Sequence, residues 1–243
     1  MQTHWLLPPG AELAAPPADQ LLLFETFRWH DLPPPAWELH GARWQRGLLA
    51  LGLTGPPLPS LVPELAAHLP PGADLRVRLR LLRGGGLALD WSPLTTDDRD
   101  PAPWRLLTRP TVDAPACTFK TDPRPRLALR EAVRAAGGDD VLLTAGGAWQ
   151  ETATANLIAQ LDDGRLVTPG PLQAPLPGTT LAFLQRFVEV EATALPAHAT
   201  LPRLRWMVLT NAVALLRPVA AIDGVTIAPP PSAFLALRDR LTA

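Results

Sequence analysis

Proline sets the first limit on this chain. Thirty of its 243 residues are proline and 17 are glycine. Proline holds φ at about −65°, lacks a backbone donor and interrupts both helix and sheet interiors. The expectation is therefore many rigid turns, several long loops and short elements between them. Hydrophobic residues at 47% against 19% charged still supply a real core and argue against disorder. The length suits one large domain or two small ones.

Periodicity places the elements. Gln20–Trp29 reads as a strand, ending before His30, Asp31 and three prolines. Trp37–Leu53 carries Leu39, Ala42, Arg43, Arg46, Leu49, Ala50 and Leu53 at helical spacing, and Pro59–Leu69 is a shorter apolar helix. Asp74–Leu82 (DLRVRLRLL) alternates polar and apolar residues, as a half-buried strand does. Arg83-Gly84-Gly85-Gly86 then turns it into a second strand, Leu87–Trp91. Arg76, Arg78 and Arg80 share one face of that strand and read as a solvated face. One of them, or Arg83 or Arg109, could hold a substrate carboxylate.

Ser92–Pro103 reads as a loop and Trp104–Thr108 as a strand. Pro110–Ala116, with two prolines and no period, reads as a linker between a domain over residues 1–112 and a larger one over 117–243. In the second part, Arg124–Ala136 is a helix stopped by Gly137-Gly138. Strands are expected at Asp140–Thr144, Ala155–Leu161, Arg165–Thr168 and Val188–Ala192. A helix is expected from Thr179 to about Phe187, a helical turn near Thr200–Leu204, and a strand-turn-strand unit over Trp206–Ile222.

Several function classes fall away. The net charge of −1 gives no electrostatic reason for a nucleic acid or anionic membrane partner. Cys117 is the only cysteine, so neither an intrachain disulfide nor a thiolate metal cluster can form, and the five histidines lack metal-ligand spacing. The first residues, MQTHWLLPPGAELAAPP, do not read as a secretory signal, and MVLTNAVALLRPVAAI is interrupted by Asn211 and Arg217 and too short to span a bilayer. The expectation is a soluble cytoplasmic protein acting on a small molecule.

Among 22 Lys plus Arg, Lys120 is the only lysine. Arginine stays protonated, whereas a desolvated lysine can lose its proton and form a Schiff base. Lys120 is thus the candidate covalent residue. Glu151 and Asn156 follow in QETATAN. Leu176-Pro177-Gly178-Thr179-Thr180 opens a helix where backbone N–H groups and two hydroxyls can meet an anion, and Leu209-Thr210-Asn211-Ala212 offers a second arm. A lysine, a carboxylate and a phosphate cradle are what a pyridoxal 5′-phosphate site needs.

These pieces resemble the fold-type IV pyridoxal-phosphate enzymes, the class IV aminotransferase family, from about Leu22 to Gly224. LFETFR (Leu23–Arg28) resembles the family's first strand, and His40-Gly41-Ala42-Arg43 its H-x-x-R helix motif. KTDPRPRLALREA resembles the segment opening with the Schiff-base lysine, Glu151 with Asn156 resembles E-x-x-x-x-N, and LPGTT resembles L-P-G-I-T. LTNAVALLRPV with the following IDG resembles its last strand pair.

The resemblance implies a mixed α/β fold of two domains, the larger built on a barrel-like sheet, with pyridoxal 5′-phosphate in the cleft between them. By its terms Lys120 bonds the cofactor, Arg43, Thr179 and Thr180 bind phosphate, Glu151 meets the pyridine nitrogen with Asn156 beside it, and Leu176 packs on the ring. Gly178, Asn211 and Ala212 complete the cofactor-binding set. It also implies a homodimer.

The departures from the pattern separate activities. Ala18-Asp19-Gln20-Leu21 stands where the family often has Gly-Asp-Gly, and Thr179 replaces an aliphatic residue. The chain has no tyrosine, although several aminotransferases of the family use tyrosines around the substrate. The Thr210-Asn211-Ala212 stretch resembles the lyase subgroup. The leading expectation is 4-amino-4-deoxychorismate lyase. The alternatives are an aminotransferase for branched-chain or D-amino acids and a member that binds the cofactor without catalysis.

Overall fold

A computed structural model describes residues 2–7, 21–83, 85–111, 119–121 and 124–242. Cys117, Gly84, residues 112–116 of the expected linker and residues 18–20 lie outside the described residues, as does most of the N-terminal segment after Leu7. The chain divides into two units. One comprises residues 1–95, 118–122 and 242–243, the other residues 96–117 and 123–241.

The first unit is a four-stranded antiparallel sheet of β1 (Gln2–Leu7), β2 (Leu21–Trp29), β3 (Leu75–Leu82) and β4 (Leu87–Pro93), in the order β1-β4-β3-β2. Between β2 and β3 run α1 (Trp37–Ala50), a 3₁₀ turn at Leu58–Leu61 and α2 (Val62–His68). Alternation along the strands selects the core face. Leu23, Phe27 and Trp29 of β2 join Leu75, Val77, Leu79 and Leu81 of β3 and Leu87 and Leu89 of β4. They pack with Trp44 and Leu48 of α1 and Leu65 of α2. Trp44 is fully buried, and its indole N–H is satisfied by the Pro56 carbonyl at 3.0 Å. The helix ends three residues earlier than its apolar spacing predicts, because the backbone turns at Leu51-Gly52, where Gly52 adopts a left-handed φ of 64°.

The opposite face of this sheet carries Phe24 and Thr26 with Arg76, Arg78 and Arg80. Only Arg76 of the three arginines is exposed; Arg78 and Arg80 are half-buried. The face is therefore less open to solvent than the alternating pattern alone predicts.

The second unit holds α3 (Thr96–Arg99), β5 (Trp104–Pro110), α4 (Arg124–Ala135), β6 (Asp140–Ala145), β7 (Ala148–Thr152), β8 (Asn156–Leu161) and β9 (Leu166–Pro169). After them come α5 (Thr179–Leu184), β10 (Glu191–Thr193), α6 (Ala197–Thr200), β11 (Leu204–Asn211), β12 (Leu215–Ile222), β13 (Val225–Thr226) and α7 (Ser232–Leu235). Its nine-stranded sheet runs β10-β9-β8-β11-β12-β5-β6-β7, with β13 on β12. The far strand curls back: the Trp149 N–H of β7 bonds the Leu195 carbonyl just beyond β10, and Ala197 N–H bonds the Gly147 carbonyl. A half-barrel results, filled by Leu142, Trp149, Leu157, Ala159, Met207, Leu209 and Val219. α4 covers an edge of it through Val133 against Val141 and Leu143.

Strand β5 explains where the chain divides. The sequence reading keeps residues up to 112 with the first domain. In the structure β5 pairs in parallel with β12 and β6, inside the second sheet, so residues 96–111 belong to the second unit. Strand β7, absent from the sequence expectation, is created by a turn at Gly146-Gly147, whose φ values of 58° and 77° are those of a tight hairpin turn. α5 is six residues long, ending at Leu184 rather than Phe187. Among the described residues no helix is long and apolar enough to cross a membrane.

Truncating Trp44 to Ala should lower the unfolding free energy by about 3–5 kcal/mol, read by urea denaturation at neutral pH. A loss below about 1 kcal/mol would contradict the placement of this indole at the centre of the first core.

Candidate functional site

Each unit carries its own polar cluster. In the second, the Gly146-Gly147 turn sends β7 back along β6, and alternation then aims Glu151 inward, with its side chain 3% exposed. A buried carboxylate must be met by donors, and three elements supply them. Arg126 of α4 donates Nη1 to Oε1 at 2.6 Å. Asn156, first residue of β8, donates Nδ2 to Oε2 at 3.3 Å. The Leu176 backbone N–H points at both oxygens at 3.2 Å.

Asn156 also donates to the Leu176 carbonyl at 2.8 Å, so acid and amide clamp the same residue of the loop before α5. Gln150 holds the loop further back, donating to the Ala174 carbonyl at 3.2 Å. Gly178 completes this arrangement. A Cβ there would fall 1.8 Å from Asn156 Oδ1, so no other residue fits without expelling the amide. Thr179 and Thr180 follow directly and are both buried.

Thr210 of β11 lies opposite Asn156 in the antiparallel register, so its side chain shares the face on which Asn156 reaches Leu176. Its Oγ1 is buried and has no hydrogen-bond partner among the described residues. A buried hydroxyl without a partner costs free energy unless something else meets it. Asn211 follows it and closes the adjacent turn with its side chain. Its Oδ1 accepts from the N–H groups of Val213 and Ala214 at 2.9 and 2.8 Å, which forms the β11–β12 turn containing Ala212.

In the first unit, alternation places Glu25 on the core face of β2, fully buried, where α1 brings two partners. Arg43 forks onto it, Nε to Oε1 at 2.7 Å and Nη2 to Oε2 at 2.6 Å, and His40 Nδ1 lies 2.8 Å from Oε2. Burial alone would raise the Glu25 carboxyl. The Arg43 charge, with hydrogen bonds from Arg43 and His40, outweighs it and holds the carboxyl well below its ordinary range. His40 moves down from 6.5, chiefly through burial, against the pull of Glu25 and helped by the Arg43 and Lys120 charges. The imidazole is therefore neutral, with Nδ1–H donating to an ionised Glu25.

Lys120 belongs to this unit too. Its carbonyl accepts from the Phe24 N–H at 3.0 Å, and its Nζ lies 5.5 Å from the centre of the Phe24 ring. The half-buried lysine is thus fixed to β2, one residue from Glu25. Phe119, beside it, packs on the first core.

The structure gathers Glu151, Asn156, Leu176 and Gly178 into one cluster, with Thr179 and Thr180 next in sequence. It sets Lys120 and Arg43 around adjacent residues of β2. Sequence reasoning missed Arg126, Glu25 and the pairing role of His40. Arg126 carries no distinguishing signal in so arginine-rich a chain. Glu25 could have been found as a charged residue on the inward face of an otherwise apolar strand.

Two substitutions test these clusters. Glu25→Gln leaves Arg43 buried without its counter-charge and should cost about 3–5 kcal/mol at pH 7. Because the folded Glu25 and His40 values both lie below the unfolded ones, their contributions are complete above pH 6.5 and decline on acidification. The His40 part goes first, and the Glu25 part is lost below its ordinary value of 4.5. Denaturation curves across that range should show the wild-type decline below pH 4.5 reduced in the variant; an unchanged slope would contradict the assignment. Gly178→Ala should displace the Asn156 amide and cost about 1–3 kcal/mol, read by thermal denaturation. An unaffected melting temperature would contradict the clamp.

The family model described as amino-transferase class IV matches residues 22–222. The fold is similar to a hypothetical aminotransferase from Mycobacterium tuberculosis in its PLP-bound form, with TM-score 0.80, 20% identity, and 100% of this chain and 95% of that one covered. It is also similar to a candidate 4-amino-4-deoxychorismate lyase from Legionella pneumophila (TM-score 0.75, 20% identity, coverage 90% and 89%). A third likeness is to a branched-chain aminotransferase from Thermoproteus uzoniensis with norvaline (TM-score 0.76, 16% identity, coverage 94% and 89%). No curated protein sequence matches. The chain has the mixed α/β fold-type IV architecture and belongs to the class IV amino-transferase family of pyridoxal-phosphate enzymes.

Proposed function

We propose that this enzyme is a pyridoxal 5′-phosphate-dependent lyase converting 4-amino-4-deoxychorismate to 4-aminobenzoate and pyruvate. The observation that carries the cofactor part is the Glu151 clamp, because a buried, arginine-paired acid is what a protonated pyridine nitrogen requires. The donor set also fits a phosphate. Thr210 Oγ1 is a buried hydroxyl with no partner among the described residues, and the hydroxyls of Thr179 and Thr180 follow Gly178 at the start of α5.

When bound, the cofactor supplies an electron sink for the bond broken at the amine-bearing carbon. The residues act around it. Lys120 Nζ is the group that would hold it covalently, and once freed the amine would take the proton from the amine-bearing carbon and could return one to the leaving group. Glu151 would hold the proton on the pyridine nitrogen. Its shortest contact, from Arg126, falls on Oε1, while those from Asn156 and Leu176 to Oε2 are longer. Arg43, whose Nε and Nη2 are gripped by Glu25, would bind phosphate, as would Thr179 and Thr180. Leu176, held in place by the acid and amide it bonds, would pack on the ring.

Two features favour the lyase over transamination. The chain has no tyrosine with which to line a substrate pocket, and Thr210-Asn211-Ala212 resembles the lyase subgroup. The likeness to a branched-chain aminotransferase at a similar TM-score supports the transaminase as second reading. We take the working form to be a cytoplasmic homodimer, for which light scattering after size exclusion should return twice the chain mass.

The loaded protein should show an absorbance band near ~410 nm that Lys120→Ala abolishes. Given aminodeoxychorismate it should release pyruvate, followed by a coupled lactate dehydrogenase assay. A loaded protein that stays silent there, yet passes amino groups from an amino-acid panel to 2-oxoglutarate or pyruvate, would replace the lyase with the transaminase.

A further inference from the structure

Helix α4 brings Arg126 to Glu151, yet it has little apolar surface with which to hold its place. Val133 is its buried residue, packed with the partly buried Leu129 against Val141, Leu143 and Ala153. Arginines make further contacts. Arg126, Arg130 and Arg134 are spaced four apart and so form one stripe of the helix. Arg126 donates to Glu151 at 2.6 Å, and Arg134 Nε donates to the Asp139 carbonyl at 3.4 Å. Between them Arg130 meets Asp140, the first residue of β6, with Nε 3.8 Å from Oδ2.

Asp140 is fully buried, and the proposed chemistry leaves it unused. Its Oδ2 accepts from the Thr154 hydroxyl at 3.1 Å, and its Oδ1 from the Val141 N–H at 2.8 Å. Thr154 sits in the turn that carries the chain from Glu151 to Asn156. Thr152 closes that turn, its Oγ1 accepting from the N–H groups of Thr154 and Ala155 at 3.3 and 3.0 Å. One carboxylate therefore anchors the turn that separates Glu151 from its amide and attracts the helix that carries its arginine. Burial lifts the Asp140 carboxyl above its ordinary value, against the Arg130 charge and the hydrogen bonds from Val141 and Thr154. A buried acid so sparsely compensated depends on the cation beside it. Arg130 is itself largely buried, lies 4.9 Å from the centre of the Trp104 ring, and has no hydrogen bond at Nε among the described residues. Its Nε contact with Asp140 is thus one of charge. Arg217, the second guanidinium over that ring at 4.0 Å, is paired with Asp97 at 2.6 Å.

Resting on the reading of Glu151 as the acid at the pyridine nitrogen, we propose that Asp140 and Arg130 are positioning residues for that acid. Asp140 fixes the span between Glu151 and Asn156. Arg130 sets how α4 lies along β6, and hence how closely Arg126 approaches Glu151 Oε1. That approach has a chemical consequence. A proton shared between a carboxylate and a ring nitrogen stays on nitrogen while the carboxylate is the weaker base, and the Arg126 charge keeps it so. Should α4 drift, Arg126 recedes, Glu151 becomes more basic, and the proton passes from the nitrogen to the carboxylate oxygen.

Nitrogen-15 NMR of the protein loaded with ring-labelled cofactor reads that proton apart from any turnover. Wild type should show a pyridinium resonance. Arg126→Met, the reference, should shift the proton equilibrium toward Glu151 by about tenfold or more, one pKa unit. Asp140→Asn keeps the size of the side chain and Arg130→Met keeps a helix-favouring stem. Each removes one charge and should move the resonance the same way, by several-fold in the equilibrium. Thr154→Val leaves both charges in place, preserves the fold and should give a smaller shift of that sign. Arg134→Met, on the same stripe but bonded to a carbonyl, should leave the resonance where wild type has it. A merely structural pair would lower the melting temperatures of Asp140→Asn and Arg130→Met with no change in the resonance. That result would overturn the proposal, as would an equal shift in Arg134→Met. The wild-type spectrum separates the two readings: a neutral ring nitrogen there fails the role given to Glu151, whereas a pyridinium unmoved by these variants fails this inference alone.

Discussion

The second unit is organised around one buried negative charge. Removing a carboxylate from water is costly, so Glu151 can stay ionised inside the half-barrel only if several donors reach it together. They come from α4, from the start of β8 and from the backbone of the loop before α5. Those stretches are far apart in sequence, and the acid therefore fixes their relative positions as firmly as the apolar core does. The demand for glycine at 178 follows from it, because the amide that serves Glu151 occupies the space of a Cβ.

The first unit repeats the principle with the signs exchanged. Arg43 is the buried cation and Glu25 its counter-charge, with a neutral His40 completing the carboxylate's bonds. A forked pair of this kind restricts the guanidinium to one orientation. That restriction serves a binding role better than it serves stability, since buried ion pairs contribute little net free energy over apolar packing. On the far side of β2 and β3 the balance is left positive, and there the half-buried arginines are a property of the face that Lys120 adjoins.

Where apolar periodicity was strong, the fold was legible. The alternation of Leu75–Leu82 and the helical spacing after Trp37 translate directly into β3 and α1. Strand β7 was missed although Ala145-Gly146-Gly147-Ala148 between two apolar runs is a hairpin signature. The division of the chain was harder to read. β5 joins its sheet through parallel neighbours distant in sequence, and no local pattern reports such pairing. Of the candidate site, the acid, the amide and the loop were legible because their spacing is fixed by a motif. Arg126 and Glu25 were not, since their roles arise only from packing. The arginines of β3 carried the right pattern for a solvated face, and their partial burial came from tertiary structure.

The proposed chemistry depends on the sole lysine, Lys120, carrying the cofactor. Borohydride reduction of the loaded protein, followed by digestion and mass spectrometry, reads this directly, because it makes a carbon–nitrogen double bond permanent. The account predicts a phosphopyridoxyl group on the peptide containing Lys120. An unmodified Lys120 peptide from protein that had bound the cofactor would contradict it.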